Sequence, residues 1–297
     1  MGERYRRIYL AIYYHKSTNM NKRLALPLLL TSILTACGGG GDSSSSNSTP
    51  AAPDSFVGIY KGTTGDSRVL ESMVLTNGTY YYFYSGLPIT TVVPASGTTA
   101  ATTATTTNAV GGVVIGTGSG KGGSFSSSTA LDFQVQTTGL STGVAASTLS
   151  ASYVTAVSMS GTVTHDTDGT ATTFTSTYNS TLSAATPALT TVSGIYTGTV
   201  GTTAGGTENL TLSILPTGAV TGESASGCYF SGTIAPHSTN NAYDLNITFA
   251  ATTCTYNSLN MLGMGLYDST TTTLYGATVK SDNTGGIVFA VSKVKTS

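Results

Sequence analysis

The chain has 297 residues, including 36 Gly and 17 Tyr, and a formal net charge of −1 at pH 7. Six of its 12 Lys and Arg residues lie within the first 36 positions, beside a single acid. The rest of the chain therefore holds six basic and twelve acidic residues, near −6. Since no basic surface remains to neutralise a phosphate backbone, nucleic acid is excluded as an expected partner.

The segment from Met20 to Cys37 predicts an export signal. Lys22 and Arg23 form a short positive stretch, and the run from Leu24 to Leu34 is apolar over 11 residues. This order is typical of a secretory signal peptide. The run is too short for a membrane-spanning helix, which needs about 20 apolar residues. We therefore expect residues 1–36 to be a signal peptide.

The sequence Leu34-Thr35-Ala36-Cys37, followed by four glycines, resembles the lipobox of bacterial lipoproteins. In that family the signal peptide is cut before the cysteine, and the cysteine carries the lipid. The resemblance implies lipidation of Cys37, with palmitate among the acyl chains. Each buried methylene contributes about 0.8 kcal/mol, so several chains make a stable anchor where one is marginal. By the same resemblance, Gly38 in place of Asp implies that the protein is sorted to the outer membrane. The alternative to lipidation is a free thiol at Cys37.

Residues 1–19 precede a signal peptide that is already complete, and they are basic and rich in Tyr. Two interpretations are open. Either this stretch extends the positive segment of the signal peptide, or translation starts at Met20. We favour a start at Met20, and neither interpretation gives these residues a role in the mature fold.

The mature chain is predicted to be all-β, because Thr, Val, Ile and Tyr, which suit a pleated surface, are abundant. Residues 37–54 read as a lipidated cysteine and a Gly/Ser-rich tether with a reach of roughly 20–25 Å. The segment Gly58-Ile59-Tyr60-Lys61-Gly62-Thr63 returns as Gly194-Ile195-Tyr196-Thr197-Gly198-Thr199. We therefore expect two related antiparallel barrel- or sandwich-like domains, at residues 55–186 and 190–297.

The first domain should contain a hairpin at Asn77-Gly78, which is a type I′ turn signal. Low complexity near residues 85–110 suggests a long loop or insertion. The second domain shows eight short apolar segments separated by turn residues, which favours a small eight-stranded barrel. A closed barrel also removes exposed sheet edges.

Cys228 and Cys254 are predicted to pair. The midpoint between them falls in the turn-like stretch from Pro236 to Asn241, so strands that fold back there bring the two sulfurs together. An oxidising exported compartment favours a disulfide, and free thiols are the alternative. With Cys37 lipidated, all three cysteines have a role.

The aromatic run from Tyr80 to Tyr84 is a candidate binding surface. Tyr80, Tyr82 and Tyr84 share one face of the predicted strand, and Tyr81 and Phe83 share the other. Core packing is the default interpretation of such a run. The alternative is a surface patch of Tyr80, Tyr82 and Tyr84 that stacks on sugar or on a protein edge.

Three short motifs suggest chemistry but lack its context. Gly139-Leu140-Ser141-Thr142-Gly143 matches the hydrolase pattern G-x-S-x-G, but no helix is expected after it. His165-Asp166-Thr167-Asp168-Gly169 hints at a calcium loop, yet Thr177 stands where an EF-hand has Glu, so a turn is expected. The run from Gly116 to Gly122 departs from a phosphate loop at both ends.

The chain as a whole resembles uncharacterised two-domain exported lipoproteins of Gram-negative bacteria. The resemblance rests on the lipobox, the repeated opening and the segment Cys228-Tyr229-Phe230-Ser231-Gly232. We expect a non-enzymatic binding or envelope-structural module, lipid-anchored at the outer membrane and without cofactor or metal. The membrane is one partner, and a protein or glycan is the other. A small-molecule binder that uses a barrel interior is the alternative, and a hydrolase would need Ser141 near a histidine.

Overall fold

The computed structural model describes residues 54–93, 102–135 and 143–295 of the chain. Nearly all regular structure within them is β-strand, which confirms the predicted all-β class. The signal peptide, the start at Met20, Cys37 and all but the last residue of the tether lie outside the described residues, as does Ser141.

The described residues between 58 and 178 contain eleven strands and the first barrel. The strands are β1 (Gly58–Thr64), β2 (Val69–Val74), β3 (Thr79–Tyr84), β4 (Ile89–Val93), β5 (Thr102–Thr106), β6 (Gly112–Thr117), β7 (Ser119–Lys121), β8 (Ser124–Gln134), β9 (Gly143–Val154), β10 (Ser158–His165) and β11 (Ala171–Tyr178). Eight of these strands close antiparallel, because β6 pairs with both β3 and β8 while β1 pairs with both β2 and β11. The short β7 pairs with the start of β8.

The stretch predicted as a loop or insertion near residues 85–110 contains β4 and β5, which pair with each other in a separate two-stranded sheet. Its side chains are Thr, Ile, Val and Ala, and β-branched residues favour extended backbone even in a low-complexity run. Of the two predicted alternatives, a long loop or an insertion, these residues therefore fit an insertion that carries its own strand pair.

Residues 194–293 form the second barrel, a closed meander of eight strands. They are β12 (Gly194–Thr202), β13 (Thr207–Ile214), β14 (Ala219–Ser224), β15 (Tyr229–Pro236), β16 (Tyr243–Phe249), β17 (Asn260–Asp268), β18 (Thr273–Val279) and β19 (Gly286–Lys293). Their number matches the eight apolar segments that predicted this barrel. Two short helices, α1 (Ser180–Ala184) and α2 (Leu189–Val192), connect the barrels.

The repeated opening has the same conformation in both barrels. The Tyr60 hydroxyl donates to the backbone carbonyl of Phe56 at 2.9 Å, and the Tyr196 hydroxyl donates to that of Val192 at 2.5 Å. Each tyrosine thus holds the backbone four residues before it through a hydrogen bond at the start of its own barrel. Gly58 and Gly194 both take φ +147°, a conformation that side chains rarely adopt.

The hairpin between β2 and β3 forms where it was predicted, but its turn differs. The Gly78 amide donates to the Leu75 carbonyl at 2.9 Å, so Thr76 and Asn77 are the central residues of the turn. Neither has a positive φ, and Gly78 follows them at φ +82°. A type I′ turn needs positive φ at both positions. The Asn77 side chain accepts a hydrogen bond from the Thr79 amide at 3.0 Å across this turn.

The predicted disulfide between Cys228 and Cys254 is confirmed, with the two Cα atoms 4.6 Å apart. The β15–β16 pairing brings Phe230 opposite Phe249, so the chain segments just outside this pair meet at one end of the barrel. Cys254 belongs to the core of the second barrel. The disulfide therefore closes this end over the packed interior.

Candidate functional site

The surface patch considered for Tyr80, Tyr82 and Tyr84 is wrong, because all three side chains point into the first barrel. Tyr80 is fully buried, and Tyr82 and Tyr84 are 2% and 6% exposed. They pack with Phe125 and Phe174 in the barrel core. A closed barrel of this size has an inner face that only side chains fill, and the largest rings of the strand fill it.

The opposite face of β3 is also buried. Tyr81 and Phe83 point out of the first barrel and are 7% and 3% exposed, because the second barrel covers them. Phe83 lies with its ring centroid 6.1 Å from that of Tyr275 on β18. The whole aromatic run is therefore buried, with three residues inside the first barrel and two between the barrels.

The inter-barrel interface joins outward faces of both barrels. The first barrel contributes residues of β1, β2, β3, β6 and β8, and the second contributes residues of β17, β18 and β19. The buried members of this cluster on these strands are Ile59, Met73, Tyr81, Phe83, Val113, Phe133, Met264, Leu266, Ala277, Val288 and Ala290. These side chains alternate along each strand with side chains that face the inside of its own barrel. Each contributing strand is therefore buried on one face by its own barrel core and on the other by the neighbouring barrel.

Three charged side chains lie within this apolar interface. The Lys61 ammonium on β1 donates to the Asp268 carboxylate at the end of β17, and it pairs with Glu71 Oε1 on β2 at 3.1 Å. Asp268 is fully buried, and it also accepts hydrogen bonds from Thr270 and Thr271. The Lys61–Asp268 pair therefore links the barrels through a buried charge contact.

The environment shifts the pKa values of Glu71 and Asp268 in opposite directions. Burial raises the pKa of Glu71 to about 7, and the nearby Lys61 only partly offsets this. Burial would also raise the pKa of Asp268, but hydrogen bonds from Lys61, Thr270 and Thr271 lower it to about 2. Asp268 is thus the anion that pairs with Lys61 at neutral pH, while Glu71 titrates near neutral pH.

A cleft of about 310 Å³ opens beside Glu71, between the two barrels. It is lined by Val69, Glu71, Phe83, Tyr84, Ser85, Thr107, Ala109, Val110, Gly112, Thr273, Tyr275, Val288, Phe289, Ala290 and Ser292. Glu71 is its acidic member, and the Oε2 atom of Glu71 is buried without a hydrogen-bond partner among the described residues. We call this feature the inter-barrel cleft.

Two cavities lie inside the barrels among the described residues, and both are small. One of about 50 Å³ lies under the disulfide of the second barrel, and one of about 30 Å³ lies beside Tyr82 and Tyr84 in the first. Ligand pockets usually have about 300–1,000 Å³. Both cavities fall far below that range, so the interiors are packed cores.

The described histidines are each bound to a carboxylate. His165 Nε2 lies 2.9 Å from Asp132 Oδ2, and Asp132 also accepts the Tyr84 hydroxyl at 2.6 Å. The hydrogen bond to Asp132 raises the pKa of His165, although burial opposes it. His237 Nδ1 lies 2.8 Å from Asp244. The segment from His165 to Gly169 forms the turn between β10 and β11, with Gly169 at φ +71°.

Sequence reasoning missed Lys61, Glu71, Asp268 and Tyr275, which form the cleft and the interface. One signal was present: Lys61 and Glu71 interrupt outward faces that also carry Ile59 and Met73. A charged residue on an otherwise apolar outward face points to a covered surface with a buried partner. The partner itself could not be found, because Asp268 lies 207 residues from Lys61 in the chain.

The comparisons with known proteins give a weak structural resemblance. No family model matches the chain, and no curated protein matches it. Among solved structures, transferrin binding protein B from serogroup B Neisseria meningitidis matches at 9% identity and a TM-score of 0.30, over 76% of this chain and 66% of that one. The Trp-176-Ala mutant of transferrin binding protein B from Haemophilus parasuis Hp5 matches at 10% identity and 0.28, over 77% and 66%.

The chain thus spans just under two thirds of the length of these solved structures. Identity and TM-score at this level carry no functional conclusion for it. Separately, no helix among the described residues has the length and apolar character needed to cross a membrane.

Replacing Asp268 with Asn should lower the free energy of unfolding by about 3 kcal/mol, because the Lys61 ammonium loses the fully buried one of its two carboxylate partners. Asp282→Asn is the matched control. Asp282 is exposed and pairs with Lys280 at 3.1 Å, and exposed pairs contribute less than about 1 kcal/mol. Urea unfolding of the two variants measures the difference. Equal losses would contradict a structural role for the Lys61–Asp268 pair.

The Glu71 carboxyl should make stability depend on pH. Its pKa is raised from 4.5 to about 7 in the folded chain, so the folded state holds a proton that the unfolded state has released. The contribution of Glu71 to the free energy of unfolding should therefore be largest below pH 4.5 and fall by about 3 kcal/mol as the pH rises through 7. Glu71→Gln should remove this dependence, whereas Glu223→Gln, at an exposed position, should retain it. A wild-type profile parallel to that of Glu71→Gln would refute the assignment.

Proposed function

We propose that the chain is an exported lipoprotein, held at the outer membrane through acyl chains on Cys37, which acts as a non-enzymatic binding or envelope-structural module. In this proposal residues 1–36 are removed, residues 37–54 are the tether, and residues 55–186 and 190–297 are the two domains that the tether presents. The lipobox-like segment before Cys37 supports the anchor.

The observation that carries the binding role is that both barrels are closed and filled. The cavities of about 50 and 30 Å³ inside the barrels, as formed by the described residues, are far smaller than the ligand space of hollow barrels. Recognition therefore belongs to the outer surfaces and to the inter-barrel cleft. This favours a binding or structural module over a carrier that uses a barrel interior, the alternative considered from the sequence.

A protein or glycan of the envelope is the partner that this proposal expects. The outer faces of the described strands are rich in Thr and Ser with few charges, and the strongest charged cluster is internal to the interface. A surface of this kind suits hydrogen-bonding and apolar contact rather than recognition of a polyanion.

The anchor is tested by expressing the full chain and its Cys37→Ala variant in a Gram-negative host with radiolabelled palmitate. The wild-type chain should incorporate label and sediment with outer membranes, because the thioether lipid requires the cysteine sulfur. Cys37→Ala should do neither, while Cys228→Ala, which removes a disulfide cysteine, should still incorporate label. Unlabelled wild-type protein, or label that persists in Cys37→Ala, would contradict the proposal.

The binding role is tested with the same cells by chemical cross-linking in the intact envelope and capture of the full chain. The anchored chain should bring down the same envelope component in repeated captures. Cys37→Ala should lose this component if anchoring presents the body to its partner. Recovery of the full chain alone, in captures where a known envelope complex is retained, would contradict a binding role.

A further inference from the structure

The inter-barrel cleft combines space, apolar walls and one unsatisfied charged group. Its volume is about 310 Å³, within the range of roughly 300–1,000 Å³ for sites that hold small organic ligands. Both barrels line it, with β2 and β3 on one side and β18 and β19 on the other. It is therefore a feature of the assembled pair and belongs to neither barrel alone.

Glu71 is the group in the cleft that lacks a partner. The residue is 7% exposed, and only Oε1 is paired, to Lys61. Oε2 is buried without a hydrogen-bond partner among the described residues. A buried carboxylate oxygen left without a donor is costly, and native structures satisfy nearly all such atoms. A ligand that supplies a donor in the cleft would satisfy it.

Charge decides which donor fits. The groups that face Glu71 are Lys61 on β1, Asp268 on β17 and Tyr275 on β18. With both carboxylates ionised, the cluster contains two negative charges and one positive charge. A second positive charge would balance it within a low-dielectric interface, where such a contact is strong.

The walls define the rest of the ligand. Phe83 and Tyr275 present rings, and Val69 and Val288 present aliphatic side chains. Rings beside a carboxylate suit a cation that also carries an apolar or aromatic body.

We propose that the inter-barrel cleft binds a small organic cation, with its ammonium group on Glu71 Oε2 and its apolar body against Phe83 and Tyr275. The inference deepens the binding role proposed above, on which it rests, by naming a ligand class for one site. Glu71 contacts the ligand, and Lys61, which is held by Asp268, positions the Glu71 carboxylate.

The test uses the full chain and three probes that share one aromatic body: 2-phenylethylamine, 2-phenylethanol and 3-phenylpropanoate. Isothermal titration calorimetry at pH 8 should show the amine binding at least tenfold more tightly than the alcohol or the acid. The preference should shrink below pH 6, where Glu71 is protonated. Equal binding of amine and alcohol, or tighter binding of the acid, would overturn the proposal.

Two variants locate the site. Glu71→Gln should weaken amine binding at least tenfold and leave alcohol binding unchanged, whereas Glu223→Gln should change neither. Ala109→Phe fills the cleft from its exposed rim, so it should abolish binding without touching the charged cluster. It therefore keeps the test decisive if Glu71→Gln folds poorly. Amine binding that survives Ala109→Phe would place the site elsewhere and refute the inference.

The outcome separates this inference from the broader proposal. If the amine fails to bind while the chain still incorporates palmitate and captures its envelope partner, the cleft inference is wrong and the proposed function stands. If palmitate labelling and capture fail but the amine binds in the cleft, the proposed function is wrong and the site remains.

Discussion

The structure depends on the burial of one outward face of each barrel against the other. A strand has two faces, and closing a barrel buries only the inner one. In β2, β3, β17, β18 and β19 the outer face is also largely apolar. Because exposed apolar patches of this kind are costly in water, the outer faces need a cover, and each barrel provides it for the other. The Lys61–Asp268 pair lies within this contact.

The interface also creates the site. Two convex barrels cannot meet along their whole length, so the cleft opens where their surfaces diverge beyond Glu71. Lys61 contacts both carboxylates, and Asp268 also accepts hydrogen bonds from the threonines of its own turn. Glu71 is then left with one paired and one unpaired oxygen. The buried charge cluster thereby gives the cleft its chemical character as well as linking the barrels.

Much of the fold within each barrel could be predicted from the sequence. Alternation and turn residues gave all eight strands of the second barrel, and the fold-back near residue 241 gave the disulfide. The first barrel was harder, because its closure runs through β6 and β8, which the inserted β4 and β5 separate from β3. Alternation also placed Tyr80, Tyr82 and Tyr84 on one face, but it could not say which face was inside.

The candidate site was beyond prediction for a related reason. Periodicity describes one strand at a time, whereas the site consists of side chains from strands that are distant in sequence and meet only when the barrels pack. Lys61 and Glu71 stood out as charges on apolar faces, yet nothing local pointed to Asp268 or Tyr275. The apolar outer faces therefore indicated an interface, but the sequence did not identify which surface covers them.

Hydroxyl-radical footprinting with mass spectrometry tests the packing of the barrels most directly. Met73 and Met264 lie on outer faces and are 1% and 7% exposed only because the other barrel covers them, whereas Met159 and Met261 lie inside the barrels. The account predicts that all four methionines of the described chain resist oxidation while the exposed Tyr229 reacts. Rapid oxidation of Met73 and Met264, with Met159 and Met261 still protected, would show that the barrels fold but do not pack against each other. That result would contradict the account.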